Sequence, residues 1–218
     1  MQINPCGEQA ILIDITDEDT ESSGLDALFT VLRIKEAVSS WQLPGIIDLV
    51  PAANTLLIML DTQRALPKDV AARVAAIDVS QPVGSTNDAH RTIEIPVRYD
   101  GPDLAQVAEA LGMSAESLVA KHQAAVWTAA FGGFAPGFAY LVADQPLGNA
   151  PRLSSPRPNI PAGAVGLAGE FSGIYPQPSP GGWQLIGTTT TKMWDTARTE
   201  RPAAILPGDT VKFVEVAQ

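Results

Sequence analysis

Arg152 and Arg157 are two guanidinium groups in a stretch otherwise almost stripped of charge. Between Phe131 and Gly187 the charged residues are Asp144, Arg152, Arg157 and Glu170. Both arginines lie in PRLSSPRPNIPAG, where prolines stiffen an extended backbone. Stiffening reduces the entropy lost when a guanidinium fork clamps a carboxylate or phosphate. Further on, SPGGWQLIGTTTT begins at Ser179 and offers backbone amides at Gly181 and Gly182, a stacking face at Trp183 and hydroxyls from Thr188 to Thr191. Glycine lets amides approach a ligand closely, and successive amides can cradle an anion. These groups suit anion binding better than acid–base work. Each also has an ordinary structural use. Glycines satisfy turn geometry, and a lone arginine is usually a solvated charge.

Two further features stand out. FGGFAPGFAYL, residues 131–141, sets Phe131, Phe134, Phe138 and Tyr140 on a glycine-rich backbone. Rings spaced in this way fill cores more often than they touch ligands. Trp127 and Trp194 read as core residues, Trp183 less clearly so. His122 is one of two histidines. It falls late in a predicted helix, where the dipole favours a cation, and a lone histidine there is more often structural than catalytic.

Several established catalytic frameworks are missing. No Gly-Lys pair occurs, which excludes a phosphate-binding loop of the Walker type. GAVGLAG spaces its glycines three apart and misses the dinucleotide fingerprint. There is no G-x-S-x-G elbow. Ser154 and Ser155 lack a suitably placed lysine for an amidase. One cysteine, Cys6, and two histidines make a zinc site improbable and a disulfide framework impossible within the chain. The net charge of −10 and the absence of any Lys/Arg run disfavour nucleic acid as a partner. No apolar run reaches the ~18–20 residues that span a bilayer, and the first residues lack the pattern of a secretory signal. The expectation is a cytoplasmic protein without a membrane partner.

The elements that must position these residues fall into two groups. In the first, residues 10–15, 46–50 and 55–60 read as strands, the last two forming a hairpin across PAAN. Residues 23–38 read as an amphipathic helix with Leu25, Leu28, Phe29 and Leu32 on its apolar stripe, and 67–77 as a second helix opened by Pro67. Residues 80–90 lose periodicity and read as a linker. In the second group, 92–99 alternates as a half-buried strand. Helices follow over 103–111 and 115–123, the first ended by Gly112 and the second capped by Ser114. Phe131 to Gly187 holds 11 of the 18 glycines and 9 of the 18 prolines, which rules out helix. It is too apolar for a disordered linker and fits short strands of a closed sheet. Residues 203–206 and 211–216, flanking PGD, read as a final hairpin-like pair.

The order of YDGPDLAQVA, a helix ending in His122, GFAPGFAYL, PRLSSPRPNIPAG, SGIYPQPSPGGWQLIG and a late PGD resembles the family called KipI-like, allophanate hydrolase subunit 1 or 5-oxoprolinase B subunit. The resemblance spans essentially the whole chain. It implies an α+β fold: a small N-terminal α+β domain over 1–85, then a cyclophilin-like β-barrel domain over 90–218. It also implies a non-autonomous subunit of an ATP-dependent 5-oxoprolinase, which opens 5-oxo-L-proline to L-glutamate with ATP and Mg2+. The implied partners are a larger cyclophilin-like subunit (of the KipA, allophanate hydrolase subunit 2 or 5-oxoprolinase C-type kind) and a third subunit of LamB/YcsF type. Some relatives are instead inhibitors of a histidine kinase, and others belong to urea or allophanate metabolism. Carried onto this chain, the motifs make His122, Arg152 and Arg157 the catalytic candidates. Pro136, Gly137 and Tyr140 in one motif, and Tyr175, Ser179, Gly181, Gly182, Trp183 and Gly187 in another, become candidate binding residues for substrate or nucleotide, with Thr188 beside them. The family usually has arginine after the last of these glycines. Thr188 stands there instead, so one cation is missing.

Overall fold

A computed structural model describes residues 1–15, 24–79 and 91–216. The chain divides into two compact units, Met1–Asp88 and Ala89–Gln218. The linker expected over 80–90 lies outside the described residues.

The first unit is a four-stranded antiparallel sheet with two helices. Its strands are β1 (Gln2–Pro5), β2 (Ala10–Asp14), β3 (Ile46–Pro51) and β4 (Thr55–Leu60), in the order β1-β2-β4-β3. The period of two in β2 and β4 puts Ile11, Ile13, Leu56, Ile58 and Leu60 on one buried face. Helices α1 (Gly24–Ser40) and α2 (Pro67–Ala75) cover that face through Val31, Ile34, Val38, Val70 and Val74. The apolar stripe of α1 is rotated from the expected one. Leu25, Leu28, Val31, Ile34 and Val38 are buried, while Phe29 is 46% exposed. Extending the stripe C-terminally selects Val31 and Ile34, and a helix of 17 residues cannot bury both sets on one side.

The second unit contains β5 (Thr92–Val97), α3 (Leu104–Ala110), α4 (Ala115–Ala124), β6 (Trp127–Gly132), β7 (Ala139–Ala143), β8 (Arg157–Ile160), β9 (Ala164–Ala168), β10 (Phe171–Ile174), β11 (Ser179–Gly181), β12 (Gln184–Thr188) and β13 (Thr210–Glu215). Gly112, at φ 70°, follows α3, and the Ser114 hydroxyl accepts from the Ser117 amide to cap α4. Seven strands form one sheet in the order β12-β9-β10-β7-β6-β13-β5. Its two ends nearly close: the Arg98 and Thr188 amides each donate to the other's carbonyl at 2.8 Å, and the Gly101 amide donates to the Ile186 carbonyl at 3.2 Å. Closure depends on glycine. A Cβ at Gly101 would fall on the Leu185 carbonyl, and one at Gly187 on the Arg98 carbonyl. The barrel-like sheet and its helices make an α+β fold of cyclophilin-like type.

The tail departs from the expected hairpin. β13 runs parallel to β5 and antiparallel to β6, while residues 203–206 contribute only the Trp194–Ala203 bridge. The PGD turn is held by the Asp209 carboxylate, which accepts from the Leu206 amide at 2.8 Å. That turn feeds the strand into the sheet rather than back onto its predecessor.

Candidate functional site

Alternation along the barrel strands sorts side chains onto two faces. Ala139, Leu141 and Ala143 of β7, Val165 and Leu167 of β9, and Ile174 of β10 point inward to a core with Trp127 and Phe213. Tyr140, Ala164, Ala168 and Phe171 point outward, where they meet Phe138, Tyr175 and Trp183. The outer layer is aromatic. Phe131 stacks on Tyr140 at 4.4 Å between centroids, and Phe138 meets Tyr140, Tyr175 and Trp183 edge-on at 5.1, 5.6 and 5.4 Å. Such offset and T-shaped pairs match ring edge to ring face. Gly173 of β10 makes room for them, since a Cβ there would lie 2.7 Å from Phe138 Cζ and 3.1 Å from Trp183 Cζ3.

The two-stranded β8–β11 ribbon runs beside this layer and brings the polar candidates to it. Gly181 of β11 pairs with Arg157 of β8, and its backbone lies so close to the Tyr175 hydroxyl that a side chain would collide with it. The Gly182 carbonyl accepts from the Leu153 amide at 2.8 Å, which fastens the segment carrying Arg152. Gln184 adds a second tie: buried, it donates from Nε2 to the Pro151 carbonyl at 3.1 Å. Among the described residues its Oε1 has no hydrogen-bond partner. Arg152 itself is exposed.

The electrostatics single out the two phenols. Burial raises the pKa of Tyr140, and the charge of Arg152 opposes the rise. Burial also raises that of Tyr175, against a hydrogen bond with the Trp183 backbone and the charge of Arg152. Both phenols therefore stay neutral hydroxyls across the physiological range, within electrostatic reach of one guanidinium. This arrangement can bind an anion at the exposed Arg152 and donate a hydrogen bond from the part-buried Tyr140 hydroxyl, while Tyr175, 2% exposed, packs beneath Gly181.

The other candidates are engaged by the fold itself. Arg157, expected as an anion clamp, is bound instead by Asp103. Its Nη1 and Nη2 donate to the two carboxylate oxygens at 2.9 and 2.6 Å, and Asp103 is 4% exposed. The same carboxylate accepts from the Leu185 amide at 2.7 Å. Arg157 thus fastens β8 to the start of α3 and to β12. A fork occupied on both nitrogens is a positioning group, because freeing it would strand a buried carboxylate.

His122, expected as a catalytic candidate, is fully buried at 0% exposure. Its Nδ1 pairs with the Tyr99 hydroxyl at 2.9 Å and its Nε2 with the Ser172 hydroxyl at 3.0 Å. Phe213 and Trp127 pack on its ring, with centroids at 4.3 and 4.9 Å. Burial pushes its pKa down to about 3, so the imidazole is neutral. It ties α4 to the inner face of β10 and has no route to the outer layer through its own two hydrogen bonds.

Gly187 and Thr188 sit at the barrel seam, where the Thr188 hydroxyl donates to Asp100 at 2.9 Å. Ser179, in β11, donates to the Gln177 carbonyl at 3.2 Å. Gly137 takes φ 85° in the turn after Pro136, where a Cβ would lie 2.9 Å from both the Met193 carbonyl and Trp194. That turn exposes Phe134, at φ 65° and 56% exposure. Trp194, read as core, is 37% exposed, while Trp183 is buried. The structure therefore gathers Tyr140, Tyr175, Gly181, Gly182, Trp183 and Arg152, with Arg157 beside them but engaged by Asp103, and sets His122, Gly187 and Thr188 apart.

Asp103, Tyr99 and Ser172 escape sequence reasoning. Asp103 stands at the N-cap of α3, yet its side chain makes no capping hydrogen bond. Its real partners are 54 and 82 residues away, and no local pattern announces them. Tyr99 continues the alternation of β5, which was a signal of burial but not of its partner.

Comparison with known proteins agrees with this architecture. Residues 1–205 match the family described as carboxyltransferase domain, subdomain C and D. The 5-oxoprolinase B subunit of Escherichia coli O157:H7 is 38% identical over 215 residues, 95% of this chain and 93% of that protein. The crystal structure of TTHA0988 superposes with a TM-score of 0.72 at 35% identity, and 96% of this chain spans only 40% of that one. The K. lactis urea amidolyase shares the fold, with a TM-score of 0.76 at 19% identity over 99% of this chain and 15% of that one. The chain belongs to the carboxyltransferase subdomain C and D family, among proteins of the 5-oxoprolinase B-type.

Proposed function

We propose that this chain is the B-type subunit of an ATP-dependent 5-oxoprolinase that converts 5-oxo-L-proline to L-glutamate. It would act with a larger cyclophilin-like subunit and a third subunit of LamB/YcsF type. The observation that carries this proposal is Arg152 beside two neutral phenols on an aromatic wall, in a chain 38% identical to a 5-oxoprolinase B subunit.

The lactam of 5-oxoproline is a resonance-stabilised amide and a poor electrophile. Phosphorylation of its oxygen by ATP, with ADP leaving, makes the carbon open to attack by water. The adduct then breaks its C–N bond, which opens the ring as an acyl phosphate, and a second water releases phosphate and L-glutamate. Phosphoryl transfer needs positioning and charge stabilisation more than a side-chain nucleophile. In this chain, Arg152 binds the carboxylate of the lactam or a phosphate oxygen. Tyr140 donates to an oxygen on which charge builds, Tyr175 supports Gly181 from beneath, and Trp183 and Phe138 form the wall behind the ring. Arg157 and Asp103 hold the ribbon that carries Gly181, and His122 fixes β10 from inside the barrel. ATP enters as co-substrate. Among the described residues no group of three His, Cys, Asp or Glu side chains is placed to hold a metal, so Mg2+ would arrive on the phosphates.

Co-expression with the two partner subunits, followed by an assay for ATP-dependent glutamate release, tests the assignment. Release from 5-oxoproline, with no turnover of urea or allophanate, is the expected result. Turnover of urea or allophanate alone would replace it.

A further inference from the structure

A second cationic cavity, built from other residues of the same unit, is not used by the chemistry above. Arg91, Arg198 and Arg201 line a cavity of about 390 Å3 together with Thr199 and Glu200. That volume lies within the roughly 300–1,000 Å3 typical of small-molecule sites. The wall is preorganised. Asp209, 3% exposed, receives the Arg201 guanidinium, the Leu206 amide at 2.8 Å and the Arg91 amide at 3.2 Å. One buried carboxylate therefore sets the fork of Arg201 and the backbone of Arg91 at once. Arg198 donates from Nη2 to the Lys192 carbonyl at 2.8 Å, a neutral partner that fixes the fork, while the Asp195 carboxylate lies within electrostatic reach.

Among the described residues, Arg91 and Arg198 form no salt bridge, whereas Arg201 is paired with Asp209. Glu200 shares the cavity, but among the described residues no ion pair joins it to any of the three guanidinium groups. Burial, followed by the charges of Arg91 and Arg198, holds the Arg201 guanidinium below its ordinary pKa range. Like charges so close to one another raise the free energy of the empty cavity, and an anion between them removes that penalty. The chain as a whole carries −10, so a gathering of three arginines runs against its general field.

We propose that this cavity binds a small polyanion, one that presents two or more adjacent phosphate or carboxylate groups to the forks of Arg91 and Arg198, beside the Arg201 guanidinium that Asp209 holds in place. Planar forks match such groups in bidentate fashion, and more than one fork selects multiply charged ligands over single anions. The site does not depend on the 5-oxoprolinase assignment and needs no partner subunit.

The test is titration calorimetry on the full chain carrying Arg152→Gln, which takes the anion-binding candidate of the outer aromatic layer out of play. Tripolyphosphate and citrate serve as probes, with chloride at the same ionic strength as the reference. Saturable binding of either probe, weakening as salt rises, is the expected result, and the tighter of the two identifies phosphate or carboxylate as the preferred group. Adding Arg91→Gln and Arg198→Gln should weaken binding at least about tenfold, the scale of one lost charge-assisted hydrogen bond. Lysine at the same two positions should restore part of it, because charge returns without the fork. Failure of both probes to bind, or binding indifferent to the double substitution in a folded variant, would overturn the proposal.

Discussion

The two faces of the barrel sheet in the second unit use the same strands for opposite ends. The inner face is largely aliphatic, closed by Val165, Leu167, Ile174 and Ile186, and its one histidine is stripped of charge. The outer face is aromatic and keeps two hydroxyls next to a guanidinium. Burial shifts titration on both faces, but with different chemical results. On the inside it removes a cation from service. On the outside it preserves phenols as neutral donors. A polar group in the dry interior serves architecture, and one at the edge of an apolar wall remains available to a ligand.

The largest expected effect is on the tie between these faces and the β8 ribbon. Asp103→Ala would strand the Arg157 fork and the Leu185 amide together, and should cost about 3–5 kcal/mol in urea denaturation. A loss below about 1 kcal/mol would show that the pair is not a structural bolt. Next comes the aromatic layer. Gly173→Ala forces a methyl group against Phe138 and Trp183 and should cost about 1–3 kcal/mol through overpacking, with the inner core undisturbed. Near-ultraviolet circular dichroism of the outer rings reads this directly.

The inner histidine gives a pH signature. Its folded pKa of about 3 lies below the ordinary 6.5, so only the unfolded chain takes up the proton between those values. Its contribution is complete above the unfolded pKa and is lost as pH falls towards the folded one, with a limiting slope of about 1.4 kcal/mol per pH unit. His122→Gln should flatten that part of the stability–pH curve, and an unchanged slope would place the titration elsewhere. The smallest effect is expected at Arg152. Arg152→Ala should leave the unfolding midpoint within about 0.5 kcal/mol of wild type, as for an exposed residue without a structural partner to lose.

Much of the fold was legible because it rests on local periodicity. Strands β2, β3 and β4 of the first unit, their hairpin and the helices before β6 follow apolar spacing and caps, whereas the edge strand β1, mostly exposed, was not expected. The glycine- and proline-rich stretch announced short strands but not their order. The sequence position of β13 suggested a hairpin, yet non-local pairing with β5 and β6 prevailed. The candidate site was legible in part. Tyr140, Tyr175, Trp183, Gly181 and Arg152 do converge, because their motifs lie on neighbouring strands. Arg157 was legible as a special arginine but not as one already engaged, since Asp103 is far away in sequence. Thr188 and Gly187 belong to the seam, where the need for a missing side chain reflects the approach of another backbone. Residue type marked these positions, but only the tertiary partners decide which of them face a ligand.

Steady-state turnover of the three-subunit complex carrying Arg152→Ala, with its melting temperature recorded alongside, bears most directly on the assignment of the outer face. A fall of about a hundredfold or more, on the scale of a lost charge-stabilising donor, with no change in melting temperature, is predicted. Wild-type turnover in the substituted complex would contradict it.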